Sequence, residues 1–500
     1  NKTASFALNN LKSNNKNIKQ IQKFADNSEY FSTYPIKKAN DSSYQMLIIT
    51  SSEYQNSFQS LIDLYIYRGI KTQVQTTDYI YNNMSGVDNP EKIRNYIIQE
   101  YQNYDIEYVL LGGDIEIVPA RGLYCKAISS QIYEDNNIPS DIYYSALDGT
   151  WNANNNNSWG EYIITANDTL EEADLLPELS VARLPFSNTT ELNNMINKSI
   201  SYQDNPVFGE LKDPLMVGEY LTGSPETWSS DYLELLIGHH DDNGYTTDGI
   251  PESDNFTKLY EKNAYWSKSD LITEINNGHS FLYHSGHANE TYVMKLSNGD
   301  ITNSNFNMVN GNDHNYSLIY THGCLCGSFD YSDCIGEKMV TLENFAVAFI
   351  GNSRFGWFNE GQTEGPSIHI QREFVNALYS DKLCNIGTAH KISKQETAPW
   401  VTAPGQWEEG ALRWCFYDCN VLSDPALAIW TDEPSEYQVN YPNIIILGTN
   451  SINVNVISNG SPVANINCVL IQDSTIFGCN TTDEQGNATV NINTPFNHTG

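Results

Sequence analysis

The sequence predicts an α/β protein: a parallel sheet built in two halves, followed by a small all-β module. Three observations carry this prediction. Short apolar runs such as QMLIIT (45–50) and YVLLGGD (108–114) alternate with stretches of helical apolar spacing, the pattern of βαβ units. Two of the runs, in FLYHSGHANET and YSLIYTHGCLCGSFD, end abruptly in Gly beside His287 and Cys324, and such strand exits gather ligands and chemistry at one sheet edge. The composition changes after LSDPALAIW (422–430), where short β-rich runs and NG and QGN turn signals take over.

In chain order, residues 1–40 are polar and rich in Asn and Lys, and read as a tail or docking segment. QMLIIT is a strand, and SFQSLIDLYIYRG (57–69) a helix stopped by Gly69, a suitable C-cap. EKIRNYIIQEYQNY (91–104) is a second amphipathic helix before the strand YVLLGGD. The alternation continues through DIYYSALDG (141–149), LPELSVARLP (176–185) and a helix around 190–203. In the second half, PLMVGEYL (214–221) reads as a strand, DYLELLIGHH (231–240) and DLITEINNG (270–278) as helices. The strands FLYH, SLIYTHGC and FAVAFIGNS (345–353) follow, then a long helix near 367–380. The expected division is therefore a tail (1–40), a first subdomain (41–205), a second, catalytic subdomain (206–432) and a β module (433–500). The module's spacing of short strands and turns fits an Ig-like sandwich.

The charge narrows the partners. Lys+Arg 27 against Asp+Glu 61 gives a net charge of −34, which argues against nucleic acid and anionic membranes, since both demand a cationic surface. The longest apolar runs are too short to span a bilayer. The chain starts NKTASFALNN, without Met and without a charged and apolar leader, and reads as a segment of a longer protein. Frequent N-x-S/T sequons, among them Asn83, Asn188, Asn255 and Asn487, lean towards a secreted or cell-surface setting. Nine cysteines are an odd number and too few for a disulfide scaffold; Cys415 with Cys419 and Cys468 with Cys479 are possible local bridges. No CxxC pair with zinc spacing occurs. No organic cofactor is expected.

A cysteine nucleophile needs a base within reach and an oxyanion hole. Cys324 after Gly323 and His287 after Gly286 supply nucleophile and base, although small core cysteines and turn histidines are common. Motif resemblance decides between these readings. GHANET (286–291) resembles the His block of the gingipain family of clan CD cysteine peptidases, and GCLCGSFD (323–330) is similar to its Cys block. YVLLGGDIEIVPAR, LPELSVARLP, IGNSRFGW (350–357) and LSDPALAIW extend the resemblance over about 45–430. It implies a caspase-like fold and thiol acyl-enzyme hydrolysis of polypeptides, with Cys324 as nucleophile and His287 as base rather than Cys326 or His284. The Gly that usually follows the clan's histidine is Ala288 here. Ala keeps the N–H, so the oxyanion hole is expected from the N–H groups of Ala288 and Cys324.

By the same resemblance Glu219 orients the histidine, a role in which a carboxylate on the second ring nitrogen fixes the tautomer. Asp231 and Trp357 become S1 candidates for a basic P1 residue, and Arg354, three residues before Trp357, would neutralise Asp231 if it pointed inward. SSD before an apolar run equally fits an N-cap. His322 shares a face with Cys324 if the strand continues, whereas His239 and His240 read as helix surface or C-cap. Structural calcium is implied by the resemblance, with SDIYYSALDG and DEQGNAT as oxygen-rich turns. A pro-segment or an activation cut near 151–170 is also expected. Two other functions suit the same fold: a processing transpeptidase and a catalytically dead adhesin.

Overall fold

The computed structural model describes residues 43–492 except 105, 163–172, 174, 402, 404–406 and 447. The expected tail, much of the loop near 151–170 and the C-terminal end lie outside these residues. The centre is one ten-stranded sheet. Its strands in chain order are β1 (Met46–Thr50), β2 (Thr72–Thr76), β3 (Tyr108–Gly112), β4 (Ser180–Leu184), β5 (Leu215–Gly218), β6 (Thr257–Tyr260), β7 (Phe281–Ser285), β8 (Ser317–Thr321), β9 (Ala346–Asn352) and β10 (Cys419–Leu422). Across the sheet they run β6-β5-β7-β8-β9-β10-β4-β3-β1-β2. Every neighbouring pair is parallel but β9 with β10. That one antiparallel pairing joins two parallel halves that run in opposite directions.

β1, β3, β7, β8 and β9 are buried along their whole length, as strands covered on both faces must be. The helices Gln59–Tyr67 and Thr189–Asp204 pack with Phe58, Leu61, Leu192 and Ile196 in one core. The helix Pro366–Tyr379 meets Tyr283 and Tyr320 in the core on the opposite face. Gly69 caps the first helix at φ +80°, and Gly278 ends Lys268–Ile275 at φ +89°. The outermost strands are polar. β2 reads TQVQT and β6 TKLY, and β2 is nowhere fully buried.

Several sequence expectations change. The stretch 231–240 is not one helix: Ser229–Leu233 is helical, and His239–Asp242 pairs with Tyr245–Asp248. Asn243 and Gly244, at φ +52° and +89°, form the turn, the preference of a tight hairpin, so His239 and His240 lie on a hairpin. DIYYSALDG contributes a short helix, Ile142–Ser145. All nine cysteines are free. Cys415 lies inside the helix Ala411–Asp418 and Cys419 opens β10, and they are bonded to Ser367 and Tyr320 respectively. Cys468 faces Asn480 across its hairpin and Cys479 faces Val469; one residue out of register, the two thiols point to opposite faces.

The segment after 433 forms short antiparallel sheets, Ser451–Ser458 pairing with Asn487–Asn491 and Asn467–Gln472 with Thr475–Thr481. It leans on the α/β part where Asn467 donates to the carbonyl of Arg68. Among the described residues no helix is long and apolar enough to cross a membrane.

Candidate active site

β5, β7, β8 and β9 are parallel, so their carboxyl ends reach one edge together. Glu219 leaves β5, His287 leaves β7, Cys324 leaves β8, and the Arg354–Trp357 turn leaves β9. The two catalytic candidates thus exit adjacent strands, as their sequence positions predict.

The Cys324 loop is held from several sides. The Asn352 side-chain amide donates to the carbonyls of His322 and Gly323 at 3.1 and 3.3 Å. Leu325, at φ +62°, adopts a left-handed conformation that costs a non-glycine residue about 1–2 kcal/mol, and its N–H donates to the carbonyl of Arg354. The Arg354 guanidinium grips Asp330 with two hydrogen bonds at 2.9 and 2.7 Å and reaches Asp135 at 2.7 Å. Arg354 therefore braces the Cys324 loop and does not neutralise Asp231. A Cβ on Gly356 would lie 2.0 Å from the His322 carbonyl, so only glycine permits this approach. The Cys324 thiol donates to the Gly356 carbonyl at 3.8 Å. Burial pushes the thiol up to about 11, so the resting sulfur is protonated.

The candidate base, His287, is held separately. His287 Nε2 lies 3.0 Å from the Leu221 carbonyl. A carbonyl only accepts, so Nε2 carries the hydrogen and the neutral ring keeps its lone pair on Nδ1. Leu221 thus fills the tautomer-fixing place that the sequence reading gave to the Glu219 carboxylate. Glu219 instead accepts the main-chain N–H of His287 through Oε2 at 3.0 Å, with Oε1 3.9 Å from Nε2 of the fully buried His284. Burial by itself would raise the Glu219 carboxyl, but His284 and the His287 N–H outweigh it and hold it below the ordinary value. Nothing in the sequence marks Leu221, because a backbone carbonyl has no residue signature.

Ala288 lies against the Cys324 loop: a Cβ on Gly323 would come within 2.6 Å of the Ala288 methyl. His322 is not on the strand, which ends at Thr321. Its Nδ1 lies 3.2 Å from the Ser285 hydroxyl, and burial pushes its ring down to about 3. It is neutral and no base for Cys324.

The S1 candidates are less close-knit. Asp231 sits in the short helix Ser229–Leu233, where its carboxylate takes two contacts from Lys262 at 2.7 and 2.8 Å. The N-cap of that helix is Trp228. Tyr232 donates to the carbonyl of Asn359 at 2.6 Å, tying the helix to the chain just beyond Trp357. The Trp357 ring packs edge-on against Tyr133 and Trp414 at centroid distances of 5.0 and 6.2 Å.

The turns named for calcium are otherwise engaged. Asp141 forms a buried ion pair with Arg183 at 2.7 Å, and Asp483 accepts N–H bonds from Gln485 and Asn487 within its own turn. No group of three or more His, Cys, Asp or Glu among the described residues is arranged to hold a metal.

Several known proteins are similar to this chain. Gingipain R1 of Porphyromonas gingivalis is 22% identical over 480 residues, 90% of this chain and 40% of the relative. Lys-gingipain of the same organism is 25% identical over 226 residues, 44% of this chain and 11% of the relative. This chain thus spans less than half the length of either. An uncharacterized protein of Archaeoglobus fulgidus is 22% identical over 349 residues, 62% of this chain and 75% of that protein. The crystal structure of the Arg-specific cysteine proteinase gingipain R superposes with a TM-score of 0.66 at 19% identity, over 92% of this chain and 94% of the other. Residues 39–430 match Peptidase family C25. The parallel edge carrying Cys324 and His287 and this match over most of the sequence lead to one conclusion: the chain belongs to peptidase family C25 and has the gingipain, caspase-like fold.

Proposed function

We propose that the chain is a secreted cysteine endopeptidase that cleaves polypeptides after basic residues. The observation that carries the reading is the pairing of Cys324 and His287 on adjacent strand exits, with the Leu221 carbonyl fixing the His287 hydrogen on Nε2. Cys324 Sγ attacks the scissile carbonyl carbon as its proton passes to Nδ1 of His287. The tetrahedral oxyanion is received by the N–H groups of Cys324 and Ala288. Collapse breaks the C–N bond, and the His287 proton goes to the leaving amine. Water, deprotonated by the same Nδ1, then releases the acyl group and restores the thiol.

A basic P1 side chain is assigned to Asp231, whose ion pair with Lys262 must yield, and Trp357 offers an aromatic wall to its stem. Support for the basic preference comes from the resemblance to the Arg- and Lys-gingipains and from the tie between the Asp231 helix and the chain after Trp357. The acidic chain and its sequons support the extracellular setting. Calcium belongs to the proposal only as a structural ion, outside the two turns already engaged.

Fluorogenic peptides differing only at P1, Arg and Lys against Leu, Asp and Asn, test this under reducing conditions with calcium. Turnover of the basic substrates should vanish in Cys324→Ala and weaken selectively in Asp231→Asn. Turnover that survives Cys324→Ala overturns the mechanism, and cleavage after another residue type overturns the S1 assignment alone. If wild type releases the fluorophore but hands the acyl group to an added amine rather than to water, the chain is a transpeptidase.

A further inference from the structure

Glu219 and His284 make contacts that the reaction above does not use. His284, fully buried on β7, faces Thr321 on β8 in register, and its Nδ1 lies 2.7 Å from the Thr321 hydroxyl. That hydroxyl also accepts the N–H of Gly323, at 2.9 Å, one residue before Cys324. On its other side His284 Nε2 faces Glu219 Oε1 at 3.9 Å, and neither atom has a hydrogen-bond partner elsewhere. The second Glu219 oxygen holds the main-chain N–H of His287. A Cβ on Gly286 would lie 2.4 Å from Glu219 Oε2 and 2.6 Å from His284 Nε2, so a glycine there leaves room for both groups.

The hydrogens follow from the acceptors. The Thr321 oxygen accepts from Gly323 and has one hydrogen to give, which goes to His284 Nδ1. The ring then carries its own hydrogen on Nε2, directed at the Glu219 carboxylate. The opposite tautomer would set a lone pair against a carboxylate in the protein interior, which is unfavourable.

We propose that His284 is a positioning residue for the catalytic pair: the buried chain His287 N–H, Glu219, His284, Thr321, Gly323 N–H sets the histidine loop against the cysteine loop. The proposal rests on the cysteine-peptidase reading, and it assigns His284 to alignment, with no part in moving the substrate's protons. Because the links act in series, breaking either side of the imidazole releases the same constraint.

The test is a double-mutant cycle on the full chain with Thr321→Val and His284→Asn, and with Thr321→Ser as the conservative rescue. Each variant is first checked for a wild-type melting profile. Thr321→Val and His284→Asn are each expected to lower kcat by about 10–100-fold with KM within about threefold, a loss typical of misplaced reacting groups. Thr321→Ser should restore most of kcat. The double variant should be no worse than the poorer single one. The proposal is overturned if either single variant keeps kcat within about twofold, if the two losses multiply, or if Thr321→Ser is as poor as Thr321→Val. The rate of Cys324 alkylation by iodoacetamide, read by peptide mapping, is a parallel measure that needs no turnover. It should change at least about fivefold in Thr321→Val, and an unchanged rate counts against the proposal. A wild type that cleaves nothing refutes the peptidase reading, while the alkylation comparison still decides the role of His284. Should His284→Asn fail to fold, the Thr321 pair and the alkylation rates settle the matter.

Discussion

The structure makes a sharp prediction about the resting nucleophile. Cys324 donates to the Gly356 carbonyl, and burial pushes its thiol up to about 11 from an ordinary 9.0. The thiolate fraction at pH 7 is then on the order of one in ten thousand, about a hundredfold below that of an ordinary thiol. Alkylation by iodoacetamide should therefore be slow at neutral pH and climb about tenfold per pH unit up to roughly pH 10. Peptide mapping reads Cys324 separately, with the exposed Cys479 as an internal reference. Replacing His287 by Ala should leave the profile unchanged, because the resting His287 is bonded to Leu221. A rate plateau below about pH 7 that disappears in His287→Ala would demonstrate a preformed thiolate–imidazolium pair and refute the reasoning.

Three further outcomes follow from named contacts. Lys262→Ala should raise kcat/KM for Arg and Lys substrates by up to about fivefold, the worth of one half-exposed ion pair, and leave Leu substrates unchanged. Equal effects on both substrate types would detach Asp231 from S1. Arg354→Lys should lower stability by about 1–3 kcal/mol, because an ammonium cannot grip Asp330 with two hydrogen bonds while reaching Asp135; a denaturant midpoint equal to wild type contradicts this. Glu337 caps the helix Ile335–Thr341, and burial, reinforced by Asp114, pushes its carboxyl up to about 9 from 4.5. Its folded value is the higher, so the stability it lends is full below about pH 4.5 and drains away as the pH rises towards 9. Gln keeps the acceptor for the Cys334 N–H and has no proton to lose. The Tm of Glu337→Gln should therefore exceed wild type by more at pH 8 than at pH 5, and a gap that shrinks with pH would reverse the sign.

How much of this was legible depended on where each residue's partners lie. Strands buried on both faces announce themselves as apolar runs, and β1, β3, β7, β8 and β9 were readable for that reason. β2, TQVQT, pairs with one strand only and buries no residue fully, so it carries no apolar signature. The apolar residues of 231–240 imitated a helix, but the Asn243–Gly244 turn commits His239 and His240 to a hairpin. At the site, Cys324 and His287 were readable because the Gly-flanked blocks that carry them are local in sequence, and it was their resemblance to a known family that decided between catalytic and merely structural roles. The role of Glu219 was not. It depends on which of two nearby histidines its carboxylate meets and on a carbonyl at Leu221, and these are settled only when β5, β7 and β8 come together. Arg354 and Asp330 belong to the same class, as does Asp418, whose buried carboxylate accepts the Arg354 N–H at 3.2 Å from the far half of the sheet.

The outer strands matter to the proposed peptidase function. An extended polypeptide is itself a strand in search of a partner, and every open sheet edge offers one. Here both margins are short and hydrophilic, with a lysine at Lys258 on one side and glutamines at Gln73 and Gln75 on the other. A passing peptide finds little apolar surface there to zip onto, so a polypeptide substrate of the proposed kind is steered away from becoming an eleventh strand of the sheet.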